Sequence, residues 1–226
     1  MINYPIILSP VQIITAISLA TLSSLSAAFF VRSGTDQYRF FSPVSLMLSL
    51  IATLFFYQLL TALTLQPFFI QASYLLCGWA LATVLHSDAQ TLLISRWTSL
   101  FLVPFAWISA NFNGLLITPL ESIFGALLGL LTLGLTGYIA QRFTGKESLG
   151  QGDVDFLACI GSFLGPTGCW NSLLIGSVSG SLLSIMLLIL YGKKIRSVHL
   201  PLGTFLAVGA MMQLIAQLTG ISFFSF

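Results

Sequence analysis

Apolar runs of membrane-spanning length recur along nearly the whole of this chain, and they limit what it can fold into more than any single motif does. A hydrocarbon core about 30 Å thick is crossed by a helix of about 20 apolar residues. Eight apolar segments are read here: Ile6–Val31, Val44–Leu65, Pro67–Leu85, Leu92–Ile108, Leu120–Ile139, Val154–Leu164, Trp170–Tyr191 and Leu200–Leu218. The sixth is short for a span and is extended by the glycine-rich stretch before it, tilted, or partly inserted where it lines a wet cavity. Gln66-Pro67 splits the second segment from the third, since a proline can end one helix and open the next. Only 6% of the 226 residues are charged and 57% are hydrophobic, with a mean hydropathy of +0.99, which excludes an ordinary soluble domain. The chain reads as an all-α polytopic membrane protein of about eight transmembrane helices, divided into a two-helix N-terminal membrane region (1–66) and a six-helix core (67–226).

The few charges are placed unevenly. On this segment count every Lys and Arg falls on one side: Arg32 and Arg39 after segment one, Arg96 after three, Arg142 and Lys146 after five, and Lys193, Lys194 and Arg196 after seven. The positive-inside rule makes that side cytoplasmic, with both termini extracytoplasmic. Loops on the other side, around Gln66, Asn111–Pro119 and Pro166–Gly168, carry no basic residue. The first segment is expected to remain as a helix, because no basic stretch precedes it and its apolar run is longer than that of a signal peptide. Charges this sparse leave no nucleic-acid footprint. Cys77, Cys159 and Cys169 are too far apart for a Cys-x-x-Cys clip and read as small residues in helix packing, so no metal site is expected.

Against this background an acid beside an apolar segment needs a reason, and at membrane depth that reason is by default functional. Asp153 follows Gly150-Gln151-Gly152, and Asp88 lies 65 residues upstream after Leu85-His86-Ser87. Two carboxylates can hydrolyse a peptide when one is ionised to activate a water and the other is protonated to donate to the carbonyl. Sharing a low-dielectric site pushes their two protonation steps apart, which favours that division. Gly150 and Gly152 permit backbone conformations closed to other residues and leave room for a substrate strand or the other acid's helix. Each acid alone has a plainer reading, since an Asp at a helix start is often an N-cap. Asp36 and Glu147 read as solvated loop charges and Glu121 as an interfacial acid. Asp155 points to roughly the opposite side of a helix from Asp153 and is assigned a headgroup-level or interhelical role. His86 is expected to make a structural hydrogen bond.

Three stretches in order resemble the type IV prepilin peptidases, membrane aspartyl proteases with a Gly-x-Gly-Asp signature. Residues 145–158, with Ile160-Gly161 and Leu164-Gly165 beyond, are similar to the family's region around its second catalytic aspartate. Asp88, followed by Thr91-Leu92-Leu93-Ile94 and Trp97-Thr98, is similar to the region around its first. Leu200-Pro201-Leu202-Gly203-Thr204 resembles the family's closing Pro-Phe-Gly-Pro-type motif, which makes Pro201 and Gly203, with Gly150 and Gly152, candidate site-shaping residues. Long members carry a cytoplasmic domain with two Cys-x-x-Cys pairs where this chain has only Arg32–Phe41. The family's usual Pro-Asp is Ser95-Arg96 here, and its usual Lys is Asp155.

The resemblance implies a membrane aspartyl endopeptidase with Asp88 and Asp153 as catalytic residues. It would cleave the basic leader from type IV prepilins or pseudopilins at the cytoplasmic face of the bacterial inner membrane, serving a type IV pilus or type II secretion. Proteolysis by two carboxylates needs no cofactor. S-adenosylmethionine would enter only if methylation of the new N-terminus is retained, and no glycine-rich nucleotide loop following a strand is visible. The presenilin and signal-peptide-peptidase class also uses Gly-x-Gly-Asp but is less similar, since Ser87 replaces a Tyr and the last motif reads Pro-Leu-Gly. The alternative from another class is an ion- or proton-coupled transporter using Asp88 and Asp153, although no inverted repeat is visible and both acids lie near one face rather than at the midplane.

Overall fold

The computed structural model describes residues 10–32, 42–145, 149–191 and 201–221. Arg39, Lys146, Lys193, Lys194 and Arg196, the loop acids Asp36 and Glu147, and both chain termini lie outside the described residues. Eight helices follow in order: α1 Pro10–Arg32, α2 Pro43–Leu63, α3 Phe68–Thr91, α4 Arg96–Leu100, α5 Leu102–Asn111, α6 Pro119–Thr144, α7 Gln151–Tyr191 and α8 Leu202–Thr219. No strand occurs among the described residues. Six of the helices, α1, α2, α3, α6, α7 and α8, are long and apolar enough to cross a membrane. Large apolar side chains such as Phe29, Leu130, Ile185 and Ile189 point outward, as lipid contact requires, while Tyr74, Phe56, Phe156 and Phe163 fill the interior.

The difference between six long helices and eight apolar segments has two sources. Segment four does not start at Leu92: that residue takes a left-handed conformation (φ 56°) and closes α3, its N–H donating to the Asp88 carbonyl at 2.9 Å. The segment then becomes helical only at Arg96 and breaks at Phe101 into two short pieces. Segments six and seven join through Gly165, whose φ of 75° and ψ of −178° belong to a region open essentially only to glycine. Pro166 follows and starts the next helical stretch, lacking the amide hydrogen that would have been unsatisfied there. The two arms of α7 double back on each other, since Cys169 Sγ reaches the Leu157 carbonyl oxygen at 3.9 Å. In a straight helix twelve residues would separate those groups by about 18 Å.

Capping sets the other boundaries. Ser42 caps α2 through Ser45 N at 3.0 Å, with Pro43 in the first turn. Thr118 and Glu121 form a reciprocal capping box at the start of α6, which gives Glu121 its role. The first arm of α7 packs antiparallel on α6 with the two backbones touching. A Cβ added at Gly129 would stand 2.6 Å from the Leu157 carbonyl oxygen, and Gly125 faces Gly161 more closely still. In membranes, where apolar burial gives little preference for protein over lipid, close approach of this kind supplies much of the helix association.

The contacts sort the helix ends. Ser26 bonds Thr83 at 3.0 Å, so α1 and α3 run parallel, whereas Ser49 on α2 meets His86 at 3.3 Å, so α2 runs against α3. The ends of α1, α3 and α6 therefore gather with the starts of α2, α4, α7 and α8. Arg32, Arg96 and Arg142, the basic residues among those described, all belong to this end.

Candidate active site

Asp88 lies one turn from the end of α3. At 1.5 Å per residue it stands about 30 Å from the helix start at Phe68, one hydrocarbon thickness away. Its side chain is buried and pointed at the start of α8. Oδ2 accepts the Thr204 amide at 2.6 Å and the Thr204 hydroxyl at 3.1 Å. The first-turn amides of a helix have no partner within it, so an anionic oxygen is well placed there. Gly203 makes the approach possible: a Cβ at this position would stand 3.1 Å from the Asp88 carboxyl carbon.

Asp153 is the third residue of α7, inside its first turn, and its own N–H donates to the Gly150 carbonyl at 3.2 Å. It does not occupy the N-cap position. Oδ1 is buried without a hydrogen-bond partner, a costly state for a carboxylate oxygen. Asp88 and Asp153 are close enough for their charges to interact through space, so the fold brings together two acids 65 residues apart. Gly150 and Gly152 contribute space rather than unusual backbone, since the positive-φ glycines among the described residues are Gly145, Gly165 and Gly220. A Cβ on Gly150 would come 3.2 Å from Asp153 Oδ2, and one on Gly152 would come 3.0 Å from the Cβ of Ile94. Pro201 stands at the N-cap position of α8 and leads the chain into Gly203-Thr204.

The remaining polar residues sort out around this centre. His86 is fully buried; Nδ1 meets the Ala82 carbonyl at 2.8 Å and Nε2 meets Ser49 Oγ, so its bonds are structural. Asp155 faces away from Asp153 and forms an ion pair with Arg96, Nε to Oδ2 at 2.9 Å. Cys77, Cys159 and Cys169 are free and buried. Among the described residues no group of three His, Cys, Asp or Glu side chains converges as a metal site would require.

The motifs contain Thr204, Ile94, Gly161 and Gly165 without giving any of them a role, and Gly125 and Gly129 fall outside the motifs. A pointer to the glycines was present in the four-residue spacings Gly125–Gly129 and Gly161–Gly165. The importance of Thr204 and Ile94 comes from a partner on another helix, which the motifs do not name.

Helical architecture and site together define a class: a multi-pass membrane protein in which two aspartates from separate helices stand at the same end of the bundle. Within that class the chain belongs to the type IV leader peptidase family, which it matches over residues 74–185. It is 30% identical over 156 residues to the prepilin leader peptidase/N-methyltransferase of Aeromonas hydrophila, covering 68% of this chain and 52% of that protein. The protein of the same name from Pectobacterium carotovorum subsp. carotovorum is 31% identical over 173 residues, 70% of this chain and 60% of the relative. That from Pseudomonas aeruginosa is 29% identical over 147 residues, 62% and 48%. The chain therefore spans about half the length of the curated relatives it matches. No solved structure matches.

Proposed function

We propose that this chain is a membrane aspartyl endopeptidase that removes the basic leader from type IV prepilins or pseudopilins at the cytoplasmic face of the bacterial inner membrane. The observation that carries the reading is that Asp88 and Asp153 stand on either side of Ile94 at the basic end of the bundle, Ile94 lying against both Gly152 and Gly203. One carboxylate takes a proton from water while the other gives one to the scissile carbonyl, and repulsion between them favours the singly protonated pair. Thr204 and the start of α8 hold one oxygen of Asp88, which fixes the orientation of that carboxylate. Asp153 Oδ1, buried with no hydrogen-bond partner, keeps its capacity to accept a hydrogen bond or a proton unspent. A substrate's apolar helix can lie against the lipid-facing spans while its basic leader stays in water, which brings the junction between them to the level of the two acids. Such a site needs no cofactor. The curated relatives also carry the name N-methyltransferase; S-adenosylmethionine would serve only that second activity.

The test is leader removal from a purified prepilin in liposomes. Asp88→Asn and Asp153→Asn should each lower the rate by about a thousandfold or more with folding and insertion intact, because an amide can neither act as base nor share the proton. The double variant should resemble either single one, as members of a cooperating pair are strongly non-additive. Rates near the parent's in both single variants would sink the protease reading and move the transporter alternative ahead.

A further inference from the structure

We propose that Arg96 and Asp155 are a positioning pair that sets the separation of the two acids. The inference rests on the reading of Asp88 and Asp153 as the reacting groups. Helix α3, which carries Asp88, packs broadly on α1, α2 and α8 but only marginally on α7, which carries Asp153; α8 packs on the second arm of α7 through Gly176 and Gly180, while the short α4 and α5 that follow α3 pack on α7 as well. The segment joining α3 to α4 therefore links the two acids mechanically. It is fastened at three successive points. Leu92 N–H bonds the carbonyl of Asp88 itself. Ile94 lies over both neighbouring glycines: a Cβ on Gly152 would meet its Cβ at 3.0 Å, and one on Gly203 would meet its Cδ1 at 2.5 Å. Arg96 then reaches Asp155, two residues beyond Asp153 on the same helical turn.

The chemistry of the pair gives it a direction. Asp155 has a side chain only 10% exposed while that of Arg96 is 60% exposed. A carboxylate so nearly removed from water needs a counter-charge, and here that need draws the α3–α4 segment down onto α7. Ile94 is held between the glycines as a result, and the spacing of the acids follows. Geometry of this kind acts on turnover more than on binding, since misplacing a reacting group by a fraction of an ångström lowers the rate without altering distant contacts to the substrate helix.

Cleavage kinetics on a purified prepilin in liposomes, with hydrogen exchange of residues 92–100, test the pair. Arg96→Ala and Asp155→Ala should each lower kcat by about tenfold with KM within about twofold, far milder than replacement of either acid of the dyad. Arg96→Lys, which keeps the charge but loses the planar fork, should lose about threefold. The exchange of partners, Arg96→Asp with Asp155→Arg, should return kcat to within about threefold of the parent, which a role in packing alone would not do. Amide exchange in 92–100 should quicken in each alanine variant and slow again in the exchanged protein. Full kcat in both alanine variants while Asp88→Asn and Asp153→Asn are dead would overturn the positioning pair and leave the protease standing. Active asparagine variants would overturn the protease, and the exchange rates would still judge the link: unchanged protection in the alanine variants rejects it.

Discussion

Thr204 shows how much a single side chain adds once the fold has brought it into range. Its amide bond to Asp88 survives any substitution but proline, whereas its hydroxyl bond is open only to serine besides threonine. Thr204→Val keeps the β-branched shape, so the loss should be that of one hydrogen bond to a charged acceptor, about 1–2 kcal/mol or roughly tenfold in kcat/KM, measured on the prepilin substrate. Loss of all activity would mean that the hydroxyl does more than orient Asp88. Gly152 and Gly203 work through volume; Gly152 could be anticipated from its place beside an acid, whereas Gly203 was marked only by the resemblance of residues 200–204 to the family's closing motif. Asp155 is the contrasting case, because its distance from Asp153 on the helix was readable but the identity of its partner was not.

At the scale of elements the decisive feature is the reversal at Gly165. Alanine there would have to adopt φ 75° and ψ −178°, at a cost of about 1–3 kcal/mol, so Gly165→Ala should lower thermal stability clearly while leaving the dyad residues unaltered. Thermal unfolding in detergent checks it, and a midpoint equal to the parent's would show that the two arms are held by packing alone. The first arm of α7 lies on α6 through Gly125, Gly129 and Gly161, which holds Asp153 at the end where α3 finishes, and the reversal turns the second arm back toward that end. Helix existence was readable along most of the chain from apolar length. Boundaries were less so: Leu92 looks like the opening of a span, but its left-handed turn closes α3 instead.

For the whole molecule, the described basic residues and both acids lie at one end, and α8 starts at that end and finishes at the other. If the basic end is cytoplasmic, a reporter active only outside the cytoplasm should work when fused after Ile221 and fail when placed in the loop after Arg142. The reverse pattern would invert the orientation and put cleavage on the opposite face. Orientation belongs to this scale because it depends on the sum of charges over all loops rather than on any one of them.

The amino-acid sequence by itself determined that the chain is helical and membrane-embedded, because hydropathy and run length are local sums that need no partner. It also singled out Asp88 and Asp153, since an acid in so apolar a chain is costly wherever it sits. Only the tertiary structure decided that α7 turns back on itself, that Thr204 and Gly203 receive Asp88, and that Arg96 finds Asp155. Those facts depend on which backbones can touch, and contacts between residues 59 or 116 positions apart leave no periodic trace in the sequence that makes them.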